Sequence, residues 1–279
     1  MSDGERYVRP PTSESLGEAP GRGRLNGRRV LVVGGGQRIV DPATDPVGNG
    51  RAMSILFARE GARVAVADMN LASARETITK IESEGGKALP VEADISKPDD
   101  IERLIDEAVD GLGGMDGMVL NVGIGVGQMN LAGATAEDWD RVLAVNLRGP
   151  MLCCKAALPR LEDGSSIVFI SSIAGLIAGS RLPAYDASKA ALAGLMRHVA
   201  LEGAPRGIRA NIVAPGLIDT PLGRLATAGR PSRAATRTPF GRHGTAWEVA
   251  QAALFFISDE SAYVTAQILA VDAGLTGIS

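Results

Sequence analysis

The sequence predicts one α/β domain, a doubly wound, seven-stranded parallel sheet flanked by helices, and three observations carry the prediction. From residue 29 onward, short β-branched runs alternate with longer helical patterns, the signature of a parallel sheet with crossover helices. No linker rich in Pro, Ser or Gly divides that alternation, although 279 residues would also accommodate two small cores. Glycine clusters follow the first run, where such a sheet turns into a helix and binds ligands beyond its strand ends.

Taken in order, residues 1–28 are polar and rich in Gly, Pro and Arg, and hold no apolar run of the kind a secretory signal needs. They are expected to be a disordered tail ahead of a domain spanning 29–279. Candidate strands are Arg29–Val33, Arg63–Ala67, Ala88–Ala93, Gly117–Leu120, Ser166–Ile170, Arg209–Val213 and Ile268–Val271. A helix is expected over Arg51–Glu60. Two more helix starts are signposted by Thr135 before Asp138 and Thr245 before Glu248, the spacing with which a hydroxyl and an acid satisfy the first N–H groups of a helix.

Bulk properties exclude several classes. A net charge of -3 leaves no basic excess to neutralise phosphates, so nucleic acid is not an expected partner and a small molecule is. The longest apolar stretch, Ile167–Ala178, is too short to cross a bilayer and is interrupted by Ser171, Ser172 and Gly175, so no membrane association is expected. Cys153 and Cys154 are adjacent and cannot staple distant segments, which fits buried helical thiols in a reducing, cytoplasmic setting. His198 and His243 have no carboxylate or Cys at ligand spacing, so no metal is expected.

The cofactor end reads from glycine. Gly34-Gly35-Gly36 follows the first strand, and Gly48-Asn49-Gly50 opens the next helix. Without a Cβ the backbone can approach a pyrophosphate, while the helix start offers unpaired N–H groups. Glycines also serve as plain turns, so this signal is weak until joined by Asp68, which ends the second strand eighteen residues after Gly50. An acid at that place binds adenosine ribose hydroxyls and repels a 2′-phosphate. Met69 and Asn70 supply no cation for such a phosphate, so NAD is expected over NADP.

At the end of the fifth strand stand Ser171-Ser172, and thirteen residues past Ser172 begins Tyr185-Asp-Ala-Ser-Lys189. Tyr185 and Lys189, four apart, share one face of a helix. With Asp94-Ile95-Ser96 after the third strand, Asn121-Val122-Gly123 after the fourth, Asn146, and Pro215-Gly216 with Ile218 and Thr220 after the sixth, the chain resembles the short-chain dehydrogenase/reductase family from about Val30 to Gly274. The resemblance implies a Rossmann-like fold, a homotetramer, and a hydride transfer between nicotinamide and a secondary alcohol or ketone. It implies that Asp94 and Ile95 meet the adenine, that Asn121, Val122 and Gly123 line the cleft, and that Pro215 to Thr220 hold the nicotinamide amide. It also implies that Asn146, Ser172, Tyr185 and Lys189 carry the chemistry.

Physically, a proton must pass to or from the substrate oxygen near neutral pH, and a free phenol titrates near ~10. A cation at about 4 Å stabilises the phenolate by roughly 4 kcal/mol at an effective dielectric of 20, enough to bring that proton into range. Lys189 supplies the cation and would also hold the nicotinamide ribose. Ser172 would aim the substrate oxygen and Asn146 would hold a relaying water.

The glycine turn departs from the family pattern. Val33 stands where Thr is usual, and eleven residues, 37–47, interrupt the glycine turn; this insert is expected either to fold over the adenosine side or onto a neighbouring subunit, or to be a plain surface loop. The substrate loop, 221–245, carries Arg224, Arg230, Arg233, Arg237 and Arg242 with no acid between Thr220 and Trp247. Two readings stand: cations that solvate a loop, or a grip for an anionic substrate. Alternatives to the alcohol dehydrogenase are a 3-oxoacyl-thioester ketoreductase and a catalytically silent NAD sensor.

Overall fold

The computed structural model describes residues 8–41, 43–228, 230 and 236–278. Seven strands, β1 (Arg29–Val33), β2 (Arg63–Asp68), β3 (Lys87–Glu92), β4 (Gly117–Leu120), β5 (Ser166–Ile170), β6 (Arg209–Pro215) and β7 (Ile268–Val271), form one sheet in the order β3-β2-β1-β4-β5-β6-β7. Every pairing is parallel. The central strands are buried on both faces, which is why they read as near-continuous apolar runs.

Along β1, Leu31 and Val33 enter one core layer, and Val30 and Val32 the other. Helices α2 (Asn49–Arg59) and α3 (Leu71–Ser83) pack in the layer of Val30 and Val32. Helix α4 (Pro98–Leu112) lies in the opposite layer, with Cys153 and Cys154 behind it, both fully buried thiols. Burial pushes the Cys153 thiol up to about 12, so it is chemically quiet.

Thr135 caps α5 (Ala136–Leu143) by accepting from Asp138 N, after which a widened π turn, Ala144–Arg148, leads into α6 (Gly149–Ala157). Beyond β5 run α7 (Pro183–Gly203), α8 (Pro221–Thr227) and α9 (Ala246–Ile257). Thr245 and Glu248 cap α9 reciprocally. A two-residue ladder, Ile218–Asp219 against Gly244–Thr245, closes the base of the segment containing α8.

The N-terminal expectation is corrected for residues 8–28, which lie against the body rather than forming a disordered tail. Thr12 caps a short helix α1 (Ser13–Leu16) out of which Ser15 Oγ donates to Glu248 Oε1 at 3.0 Å, while Thr245 Oγ1 donates to Ser15 O. Gly17, at φ +71°, sits so close to the Trp247 ring that a Cβ would be 2.2 Å from it. Farther on, the backbone N–H groups of Arg22 and Arg24 donate to Glu60, and Leu25 is fully buried. The segment is polar because its polar groups find partners on α2 and α9, which composition alone does not reveal.

Candidate active site

The order β2-β1-β4-β5 reverses direction between β1 and β4, and the residues that follow those two strands meet there. Asn121 N donates to Val33 O, and Asn121 Nδ2 donates to Gly34 O at 2.8 Å, so the turn after β1 is clamped from β4. Gly34 takes φ +81°, a conformation that favours glycine, with Val122 packed against it. A Cβ on Gly50 would lie 1.8 Å from Gly34 O, so turn and helix touch backbone to backbone.

The insert therefore does not open the turn: it leaves and returns through a neck closed by Gln37. Gly48 N donates to Gln37 Oε1 at 2.9 Å, and Gln37 Nε2 donates to Pro46 O at 3.2 Å. Gly48 is the extended N-cap of α2, and Asn49 Oδ1, in its first turn, is buried without a partner. A glycine-lined turn and a helix start with unpaired N–H groups together fit the phosphate end of a dinucleotide, whereas the orphaned Asn49 oxygen, an acceptor, calls for an N–H or O–H donor and not for a phosphate oxygen.

Asp68 closes β2 with its carboxylate held by backbone: Oδ1 accepts from Asn70 N and Oδ2 from Gly36 N, at 2.9 and 3.1 Å. Burial raises its pKa against the pull of those two N–H groups. Met69 beside it is mostly exposed, and Gly36 leaves room for the carboxylate, which a Cβ there would meet at 2.6 Å and have to displace. Asp94 accepts from Ser96 N and Oγ in a local turn, whereas the side chain of Ile95 is 4% exposed and belongs to the core.

At the other end of the cleft, α7 brings Tyr185 and Lys189 under the loop that follows β4. Lys189 is buried, and its Nζ donates to Ile170 O at 3.0 Å and lies 5.8 Å from the Tyr185 ring centroid. Burial lowers its pKa from 10.5 to about 8, leaving it a cation at neutral pH. Gly123 clears the ammonium, since a Cβ would be 2.8 Å from Nζ, and Gly125 lies against the Tyr185 ring. Ser171 Oγ donates to Lys189 O, tying the helix to the end of β5. Ser172 Oγ accepts from Ala174 N at 3.2 Å, a contact that uses a lone pair and leaves the O–H as donor.

Asn146 sits fully buried in the π turn. Its Oδ1 accepts from Ile124 N at 2.8 Å, and Nδ2 donates to Ile124 O and to Ser188 Oγ, which in turn donates to Tyr185 O. Both amide N–H groups are engaged, so the side chain fixes the β4 loop to α7, and holding a water is not a task left to those donors. Helices that widen in this way do so frequently at functional sites.

The residues expected on the nicotinamide side follow β6. Gly216 N donates to Val271 O and the glycine abuts Asp272; Pro215 ends the strand; Ile218 is in the core; and Thr220 caps α8 by accepting from Gly223 N.

Of the substrate-loop cations, Arg233 lies outside the described residues. Arg224 pairs with Asp219 and Arg242 with Glu248, acids just beyond the acid-free window, which weakens the case for an uncompensated positive mouth. Arg230 Nη1 donates to Ser180 O. Among the described residues no group of three His, Cys, Asp or Glu could hold a metal.

Several participants were missed in the sequence: Gln37, Ser171, Ser188, Gly125 and Arg51. Arg51 is buried and bonded to Thr77 and Glu76, and its charge acts on Asp68. Ser171 and Ser188 lie inside the marked motifs, Arg51 directly follows Gly50 and Gln37 opens the insert, so their positions, though not their roles, were marked locally.

A family model described as enoyl-(acyl carrier protein) reductase matches residues 43–276. The chain is 36% identical to a glucose 1-dehydrogenase of Gluconobacter oxydans over 92% of this chain and 95% of that one. It is 35% identical to a 3-oxoacyl-(acyl-carrier-protein) reductase of Thermotoga maritima over 90% and 99%. It also superposes on the crystal structure of a short-chain type dehydrogenase/reductase from Mycobacterium marinum with TM-score 0.82 and 30% identity, covering 91% of this chain and 97% of that one.

Proposed function

Because the chain belongs to the short-chain dehydrogenase/reductase family, and is thereby an oxidoreductase acting on alcohol and carbonyl groups, we propose that Tyr185 exchanges the substrate proton in an NAD-dependent dehydrogenase of small secondary alcohols and ketones. The observation that carries this reading is the buried, charged Lys189 beside Tyr185, anchored on Ile170 and covered by Gly123. The nicotinamide, when bound, accepts or gives the hydride.

The chain's own residues do the rest. Lys189 favours the phenolate form of Tyr185 by charge and has N–H groups beyond the one given to Ile170 for the ribose. Ser172 donates to the substrate oxygen and fixes its direction toward Tyr185. Asn146 is a positioning residue that holds the Ile124 loop and, through Ser188, the first turn of α7. Backbone N–H groups of Gly34, Gly48, Asn49 and Gly50 hold the phosphates, Asp94, Asn121 and Val122 line the adenosine side and cleft with Ile95 offering only its backbone, and Pro215, Gly216 and Thr220 face the nicotinamide with Ile218 in the core behind them.

NAD is favoured over NADP because Asp68 presents a carboxylate fixed by two backbone donors, while the nearby Arg51 guanidinium is engaged by Glu76 and Thr77. The same reading takes the enzyme as a cytoplasmic homotetramer.

The experiment is a panel of secondary alcohols and 3-hydroxyacyl thioesters with NAD⁺ or NADP⁺, read by reduced-nucleotide absorbance. Turnover with NAD⁺ is expected, and Tyr185→Phe should slow it about 10²–10⁴-fold while NADH binding persists, because only the transferable proton is removed. A near-wild-type rate in that variant would sink the assignment. Preference for thioesters with NADP⁺ would favour the ketoreductase reading that the Thermotoga maritima relative raises.

A further inference from the structure

We infer that Arg224 is a positioning residue that latches the substrate-side helix α8 to the outer turn of the 37–47 insert, so that this turn serves the substrate wall while the insert's first residue, Gln37, stays bonded to Ser73 near Asp68. This rests on the reading of 221–245 as the substrate loop.

The latch is a three-way fork. Arg224 Nε and Nη2 donate to Asp219 Oδ1 and Oδ2 at 2.7 and 2.9 Å, and Nη1 donates to Thr44 O at 2.7 Å. Asp219 immediately precedes Thr220, the cap of α8, so the fork acts at the base and on the body of that helix. Guanidinium suits the task because its planar donors fix direction as well as charge.

On the insert side, the Thr44 carbonyl is presented by a self-bonded turn. Asp41 accepts from Ala43 N and Thr44 Oγ1, Asp45 Oδ2 accepts from Val40 N and Asp41 N, and Asp45 N donates to Asp41 O. The Asp45 charge adds attraction for Arg224. The turn is joined to the phosphate turn through the Gln37 neck. A continuous path of bonds therefore runs from the cofactor turn to α8.

The groups involved are partly exposed, so each contact is individually modest, and the expected effects are correspondingly small. Three variants test the latch: Arg224→Ala, Arg224→Lys, and Asp41→Ala with Asp45→Ala, which loosens the turn without touching the neck. In ligand-free protein, trypsin should cleave after Arg237 about fivefold faster in the Ala variants with melting temperature unchanged. For a secondary alcohol turned over in the panel, KM should rise about three- to tenfold, with kcat and the NADH dissociation constant within about twofold. Combining Arg224→Ala with the Asp41/Asp45 change should add nothing further, and Arg224→Lys should recover part of the loss.

Unchanged cleavage and KM, additive effects, or NADH affinity falling in step with KM would each overturn the latch, the last by returning the outer turn to the cofactor side. Failure of the underlying dehydrogenase reading is separate, since it would appear as retained turnover in Tyr185→Phe.

Discussion

The two ends of the cleft are held together by different physics. At the glycine-turn end, closure is mainly steric: Gly34 and Gly50 meet backbone to backbone, with Asn121 Nδ2 donating to the same Gly34 carbonyl. At the end that holds the proposed catalytic pair, closure is a hydrogen-bonded web in which Asn146, Ser188, Ser171 and Ile170 converge on Tyr185 and Lys189. The difference explains why eleven inserted residues are tolerated in one place. A steric contact needs only that its two sides be brought together, and the Gln37 neck does that, whereas a web of directed bonds would be lost by a comparable interruption.

If that comparison holds, glycine substitutions should separate the two ends most sharply. Gly50→Ala places a methyl group against a carbonyl that cannot move, and NADH affinity should fall about 100-fold, as overpacking costs of roughly 3 kcal/mol imply. Gly123→Ala meets only the movable end of Lys189, and titration of NADH fluorescence should show a loss of about tenfold or less. Equal losses at the two sites would break the distinction.

Next in size, Asn146→Ala strips the partners of a part-buried N–H and carbonyl and of a buried hydroxyl. It should destabilise the fold by about 2–4 kcal/mol in denaturant unfolding and lower kcat more than it raises KM. A variant that unfolds as wild type does would show that the web is not cooperative.

Asp68→Ala should leave the turn closed, because Gly34 and Gly50 do not depend on it, and should shift the ratio of kcat/KM for NAD over NADP by about tenfold toward NADP. A wild-type preference for NADP would refute the assigned role of the carboxylate.

The smallest effect is a pH dependence. Lys189 loses its charge as pH rises through about 8, so NADH should bind several-fold more weakly above that value, while Lys189→Met should show no such step. Folding responds with the opposite sign. Above pH 8 the unfolded chain, in which lysine titrates near ~10.4, binds more protons than the folded one, so the cost of burying this cation shrinks between pH 8 and 10.4 and its contribution to stability rises. Melting curves of wild type against Lys189→Met over that window check it.

The alternating pattern by itself determined the α/β class and the seven strands, because the central strands, buried on both faces, must be apolar along their length, while β2 and β6 run on to Asp68 and Pro215 and β3 spans Lys87–Glu92, one or two residues off the expected bounds. Local spacing likewise marked the caps at Thr135 and Thr245 and the pairing of Tyr185 with Lys189, all of which lie within one or two helical turns. Other features were decided by contacts between segments far apart in the chain. Residues 8–28 look like a tail until Glu60 and Trp247 are placed beside them, and the insert looks like a free loop until Arg224, some 180 residues away, reaches Thr44. The positive loop looks uncompensated until Asp219 and Glu248 fold back onto it. Polar and charged groups carry no periodicity that names their partner, and an isolated ion pair or hydrogen bond is too weak to leave a local mark, so only the packed sheet, which sets which ends meet, could show what these groups hold.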